Sequence, residues 1–160
     1  MTDEYDATVG ERDSTEVKDT RWYSSNWWDQ NPGRVLEEEK VMEDLFPDFE
    51  LRELDDSLAW KGTIRSNRGN RYEVAVVYPE RYPNPDKAPE AFILDPDIKR
   101  SETKHLWPNG RLCLFHPDDH ASRSWRKDST AATVVSWVGA WIFAHEHYQE
   151  TGQWPGPEAH

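Results

Sequence analysis

A single cysteine, Cys113, is the residue of this 160-residue chain best placed to do chemistry. With no second cysteine it cannot form an intramolecular disulfide, so it is an inert core residue, a metal ligand or a nucleophile. It ends the run His105-Leu-Trp-Pro-Asn-Gly-Arg-Leu-Cys113, in which Asn109-Gly110 is a strong turn signal. The pattern predicts a thiol just past a turn and near the surface, where a substrate could reach it.

A zinc site is an alternative for this thiol. Cys113, His116 and His120 have the right residue types, and Cys-x2-His-x3-His is a plausible local spacing. One thiolate with several imidazoles is an infrequent structural site, so a zinc-stapled binding module is the minor interpretation. We therefore predict no metal and no cofactor.

Composition limits the class of protein and its partners. A lone thiol favours a reducing compartment, and neither a signal sequence nor a long apolar run stands out, so a cytoplasmic protein is expected. The 31 acidic residues against 19 basic ones give a net charge of −12, which repels phosphate backbones and anionic lipid. We expect neither nucleic acid nor membrane as a partner.

Two helices are predicted to position the cysteine segment. The first begins at Asn31, a capping residue followed by Pro32, and ends before Pro47. Its apolar residues Val35, Leu36, Met42 and Leu45 recur at helical spacing, with residues 37–39, all glutamate, on the solvent side. The second begins after Ser129 or Thr130 and ends at Gly152.

Between the helices the pattern predicts a four-stranded antiparallel meander. The strands are expected at residues 49–54, 59–65, 72–78 and 91–94, with hairpin turns at 55–57 and 67–70. Residues 78–89 carry four prolines and are predicted to form a rigid loop before the fourth strand. The fold class is therefore α+β.

The N-terminus differs in character from the rest of the chain. Residues 1–20 are polar and acidic without hydrophobic periodicity, which predicts a flexible tail, and residues 21–160 are predicted to form a single domain. Trp22, Tyr23, Trp27 and Trp28 form an aromatic cluster too dense to leave in water. Packing against the domain is the favoured interpretation of this cluster, and binding to a partner is the alternative.

The order of these elements, with the histidine, the Asn-Gly turn and Leu-Cys-Leu, resembles the ubiquitin-conjugating-enzyme fold over residues 31–152. A narrower resemblance is to the prokaryotic ubiquitin-conjugating-like proteins of antiphage (CBASS-type) operons, which are encoded beside cyclic-oligonucleotide synthases. It rests on His105, residues 110–115 (Gly-Arg-Leu-Cys-Leu-Phe), Trp125, residues 141–148 and Trp154.

The resemblance implies that Cys113 forms a thioester with the C-terminus of a partner protein and passes the acyl group to an amine. The candidate donor is the operon's nucleotidyltransferase. The chain contains no Gly-rich nucleotide loop, so a separate activating enzyme or an already activated donor is expected.

The chain departs from the family pattern at the oxyanion-stabilising asparagine. Counting back eight residues from Cys113 finds His105 at that place. His105 or a backbone N–H must then stabilise the oxyanion. Asn109 is a nearby amide, but its position before Gly110 favours a role in the turn. A catalytically silent relative that only docks a partner is the interpretation that the missing asparagine supports.

Four further residues are supporting candidates. Arg111 beside the thiol could favour the thiolate or point to solvent. Asp118 and Asp119 could hold an incoming lysine, although an acidic pair in a loop is usually only solvated. Trp125 is expected to anchor the preceding polar loop over the active segment.

Overall fold

A computed structural model describes residues 25–54, 56–103, 105–114, 125–126 and 128–155. The elements in chain order are α1 (Trp27–Gln30), α2 (Pro32–Leu45), β1 (Glu50–Leu54), β2 (Ser57–Arg65), β3 (Arg71–Val77), β4 (Glu90–Asp95), a 3-10 turn (Arg100–Glu102) and α3 (Ala131–Thr151). The predicted helices and strands are confirmed, with bounds that shift by at most two residues. The short helix α1 was not predicted. Residues 1–20, Trp22 and Tyr23, for which a tail and an aromatic cluster were predicted, lie outside the described residues.

The four strands form one antiparallel sheet in the order β1-β2-β3-β4, the predicted meander. Leu54 pairs with Ser57 across the first turn, and Arg65 pairs with Arg71 across the second. Alternate residues of β3, from Tyr72 to Val76, are buried. The buried face of the sheet and the helices share one hydrophobic cluster, so the sheet is a platform with its core on the helical side.

Helix α2 buries a different face from the one that the periodicity predicts. Leu36 is 67% exposed and Leu45 is also exposed, whereas Glu38 is buried, so its assignment to the solvent side was wrong. Met42 lies in the core as predicted. The reason is that a carboxylate with enough hydrogen-bond donors around it can be buried, and those donors come from elsewhere in the chain.

Glu38 joins the elements on the helical side of the sheet. Its carboxylate accepts hydrogen bonds from the hydroxyls of Tyr78 at 2.7 Å and Tyr82 at 2.6 Å. The backbone N–H of Ala131, the first residue of α3, donates at 2.8 Å, and Arg34 donates through Nε at 3.0 Å. One carboxylate on α2 thus forms hydrogen bonds to the end of β3, to the proline-rich loop and to the start of α3.

The ends of α3 follow from its sequence. Thr130 is the N-cap and forms a capping box with Thr133, as the sequence predicts for this start. Gly152 ends the helix in the left-handed conformation at φ 76°, which an L side chain rarely adopts. The chain reverses at this glycine and carries Trp154 back toward the helix.

Trp27 and Trp28 are buried, so the packing interpretation is confirmed for this half of the aromatic cluster. Trp27 contacts the rings of Tyr78 and Tyr82 at centroid distances of 5.0 and 4.9 Å. The N-terminal aromatic pair therefore covers the same tyrosines that bind Glu38.

Candidate active site

The cysteine segment is a hairpin attached to the free edge of β4. Leu106 pairs with Leu112, and the Cys113 N–H donates to the His105 carbonyl oxygen at 3.0 Å. The N–H of Leu112 donates to the carbonyl oxygen of Ala91 in β4 at 2.8 Å. The sheet thus holds Cys113 through main-chain hydrogen bonds, and places it across from His105 because Leu106 and Leu112 are opposite each other.

Asn109 shapes the turn of this hairpin. Its side-chain oxygen accepts from the N–H of Arg111 at 3.0 Å, and Gly110 at φ 90° donates its N–H to the Trp107 carbonyl oxygen at 2.9 Å. Asn109 itself is exposed. These bonds support the turn role that the sequence favours for Asn109.

The expectation that Cys113 lies near the surface was wrong. The residue is only 4% exposed. Burial raises the pKa of the Cys113 thiol above its ordinary value, and the positive charges of Arg111 and Arg100 only partly oppose this. The thiol of this conformation is therefore protonated at neutral pH and shielded from solvent.

Arg111 neither points freely to solvent nor contacts the thiol directly. Its guanidinium pairs with Glu90 of β4 at 3.0 Å and lies over the Trp107 ring at 4.7 Å. The Glu90 carboxylate therefore neutralises part of the positive charge that could favour a Cys113 thiolate. Within the described part of the chain, the Arg111 Nε is buried without a hydrogen-bond partner.

His105 is 2% exposed, and its ring packs against an aromatic side chain. Its ring stacks on Trp154 at a centroid distance of 3.7 Å and an interplanar angle of 25°. Its carbonyl oxygen accepts from the Nε1–H of Trp141 at 3.2 Å as well as from Cys113. Packing is thus one established role of His105, and donation to an oxyanion stays a prediction.

Trp125 is anchored away from the hairpin. Its Nε1–H donates to the carbonyl oxygen of Asn84 in the proline-rich loop at 2.9 Å, and its ring lies 6.3 Å from both Tyr82 and Trp137. It therefore fixes the end of the segment that precedes α3. Asp118, Asp119, His116 and His120 lie outside the described residues. Among the residues that are described, no group of three His, Cys, Asp or Glu could hold a metal ion.

A groove of about 290 Å³ runs beside the hairpin. The proline-rich loop and the start of β4 form one wall, and Trp107, Arg111, Leu112 and Leu114 form the other. Two of these residues, Leu112 and Leu114, flank Cys113 directly. The groove therefore borders the residues on both sides of the thiol, where it could take an extended ligand.

Sequence reasoning missed the tertiary partners of the site. Trp141 and Trp154 carried the family resemblance, but nothing in their spacing showed that both would contact His105. Glu90 as the partner of Arg111 was missed too, because the two residues are 21 positions apart. One feature of the sequence could have indicated these contacts: Trp154 lies two positions after Gly152, where α3 ends.

Comparison with family models decides what this arrangement belongs to. The model described as "E2-CBASS: Type II CBASS E2 protein" matches residues 38–160, well over half of the chain. The chain belongs to the Type II CBASS E2 family. No curated protein and no solved structure matches it.

Membership of the Type II CBASS E2 family confirms the resemblance seen in the sequence and agrees with the α+β architecture. It assigns the protein a ubiquitin-conjugating-like role in antiphage defence and implies a partner protein from a CBASS operon. In the described residues, no helix is long and apolar enough to cross a membrane.

Proposed function

We propose that Cys113 carries the C-terminal acyl group of a partner protein as a thioester and passes it to an amine. The sulfur attacks the activated carbonyl carbon, the C–S bond forms, and the bond to the activating group breaks. The acceptor amine then attacks the same carbon, the C–N bond forms, and the C–S bond breaks to return the thiol. The candidate donor is the nucleotidyltransferase of the operon, activated by a separate protein.

The position of Cys113 supports this proposal most directly. The only cysteine of a Type II CBASS E2 chain lies on a hairpin held by the sheet edge, next to a groove that could take an extended C-terminus. Main-chain hydrogen bonds to His105 and to β4 set the position of the Cys113 backbone. Such placement favours reproducible attack geometry.

The burial of the thiol adds a requirement. A thiolate is the attacking species, and burial raises the pKa of Cys113, so the conformation described here is a resting one. We propose that docking of the charged partner exposes the hairpin and so lowers the pKa of the thiol. Uncharged protein would then be protected against oxidation and alkylation.

The test is covalent capture. Cys113→Ser, incubated with the donor and activating proteins of the same operon, should give an ester that survives thiol reagents, whereas the wild-type adduct should be cleaved by them. Cys113→Ala is the control and should form neither. Intact mass reads all three. An adduct on Cys113→Ala, or no wild-type adduct while the donor is demonstrably activated, would contradict the proposal.

A non-catalytic docking role is the second candidate, and two observations favour it. The thiol is buried, and His105 stands where ubiquitin-conjugating enzymes have the asparagine. This role predicts that the activated donor binds stably and that Cys113→Ala binds it equally well, with no adduct on either protein.

A further inference from the structure

The segment beyond α3 folds back on the site. Gly152 ends the helix at φ 76°, with its N–H bonded to the Tyr148 carbonyl oxygen at 2.8 Å. Trp154 follows and packs against Trp141 at a centroid distance of 5.8 Å and against Tyr148 at 6.4 Å. We call the segment from Gly152 to Trp154 the C-terminal clasp.

The clasp contacts the cysteine hairpin at His105. Trp154 stacks on the His105 ring at 3.7 Å, a much closer approach than it makes to the aromatic rings of α3. The His105 N–H donates to Thr103 Oγ1 at 3.1 Å, so the main chain of His105 is held at its nitrogen too. Ring and backbone of His105 are therefore fixed from different sides.

His105 passes this restraint to the thiol. Its carbonyl oxygen accepts from the Cys113 N–H at 3.0 Å and from Trp141 Nε1 at 3.2 Å. A shift of the His105 ring moves its backbone, and with it the acceptor that holds Cys113. Close packing transmits such a shift, because neighbouring side chains leave few voids to absorb it.

We infer that Trp154 is a positioning residue for Cys113. It holds His105 in place, and His105 in turn binds the Cys113 amide, so that the hairpin stays closed and the thiol stays buried. The inference rests on the proposed function, since position matters for catalysis only if Cys113 is the nucleophile. It assigns the C-terminal clasp a role in the reaction, in addition to finishing α3.

Alkylation of the thiol tests the inference without any donor. Because Cys113 is the only cysteine, iodoacetamide uptake followed by intact mass reports it alone, over a pH series. Trp154→Ala should open the hairpin, lower the apparent pKa of the thiol and speed alkylation at neutral pH by about 3- to 10-fold, since one pKa unit is a tenfold change in thiolate. The charges that face the thiol, Arg111 and Arg100, remain in place.

Two further Trp154 variants separate stacking from bulk. Trp154→Phe keeps an aromatic ring against His105 and should restore the wild-type alkylation profile. Trp154→Leu keeps apolar volume without a ring, so it should behave like Trp154→Ala even if the alanine variant folds poorly. All rates are measured well below the melting temperature of each variant.

Met42→Ala is the stability control, because Met42 is fully buried on α2 and its truncation leaves a cavity in the core without altering the clasp. It should lower the melting temperature but keep the wild-type pH profile. The inference is overturned if Trp154→Ala and Trp154→Leu alkylate like wild type, or if Met42→Ala shifts the profile as much as they do. Transfer assays run in parallel: absence of loading in wild type counts against the proposed function, while the alkylation result still decides the role of Trp154.

Discussion

The surroundings of Glu38 and of Cys113 differ in their hydrogen bonding, although both groups are almost fully buried. The Glu38 carboxylate is 1% exposed and is met by donors from a helix, a strand end, a loop and a helix N-terminus. Cys113 is 4% exposed, and its backbone N–H donates a hydrogen bond to the His105 carbonyl oxygen. One buried group organises the scaffold, whereas the other is merely enclosed by it.

The difference teaches how a fold can be rigid around a movable site. A buried carboxylate loses its solvation unless every donor stays in place, so the Glu38 cluster resists local opening. A buried neutral thiol loses little when it is exposed, and one isolated bridge, Phe92 with Arg111, joins its hairpin to β4. Opening of the hairpin is therefore the cheaper motion, as the proposed loading step requires.

The largest effect on stability is expected from Glu38→Ala. It removes the carboxylate from Arg34 and from the hydroxyls of Tyr78 and Tyr82, and breaking a buried pair on one side costs about 3–5 kcal/mol. Urea unfolding should show this loss. The matched control is Glu37→Ala on the same helix, whose carboxylate is exposed and 4.0 Å from Arg34, with an expected change within about 0.5 kcal/mol. Equal losses for the two variants would remove the contrast with the thiol region.

A smaller effect, on rate, is expected from His105→Phe. The phenyl ring can keep the stack on Trp154 but cannot donate a hydrogen bond, so it separates packing from chemistry better than His105→Ala, which would also leave a cavity. If the imidazole stabilises the oxyanion, acyl transfer falls about 100- to 1000-fold, or roughly 3–4 kcal/mol of barrier. Single-turnover transfer measures it.

Asn109→Ala is the control for His105→Phe. It should cost about 1 kcal/mol of stability through the lost turn bond and leave transfer close to wild type. Full-rate transfer by His105→Phe would make His105 a packing residue and leave the oxyanion to backbone N–H groups.

The last prediction concerns pH and Glu146 of α3. Burial works against ionisation, but hydrogen bonds from Asn70, Tyr72 and neighbouring groups outweigh it and hold the pKa of Glu146 below its ordinary value of 4.5. The ionised carboxylate therefore stabilises the fold fully above that pH, and the contribution is lost as the pH falls through the lower folded pKa. Glu146→Gln should weaken the fall in the free energy of unfolding at acid pH. It should also cost about 1.5–3 kcal/mol at neutral pH, the usual range for hydrogen bonds to a charged group.

Urea unfolding over a pH series checks the Glu146 prediction. Glu150→Gln is the control, because Glu150 binds the same Arg68 but is mostly exposed, and its fall in the free energy of unfolding at acid pH should match wild type. If Glu146→Gln lost as much stability at low pH as wild type does, the Glu146 carboxylate would not stabilise the fold in the way that Glu38 does.

The sequence by itself determined the elements and the thiol. Turn residues, caps and period-two patterns are local signals, so the meander, the capped start of α3 at Thr130 and the Asn109 turn could be predicted from neighbours in the chain. The order of those elements around Cys113 also carried the family. The departure at His105 was visible by counting residues alone.

Only the tertiary structure decided what surrounds those elements. Glu38 is buried because donors up to 93 positions away converge on it, and its own helix supplies Arg34 but not the tyrosines or the start of α3. Cys113 is covered and its pKa raised by packing that no local pattern encodes, and Trp154 reaches His105 only because the chain reverses at Gly152. Burial and partner choice depend on contacts between distant segments, whereas secondary structure depends mainly on adjacent ones, and this is why the first escaped prediction and the second did not.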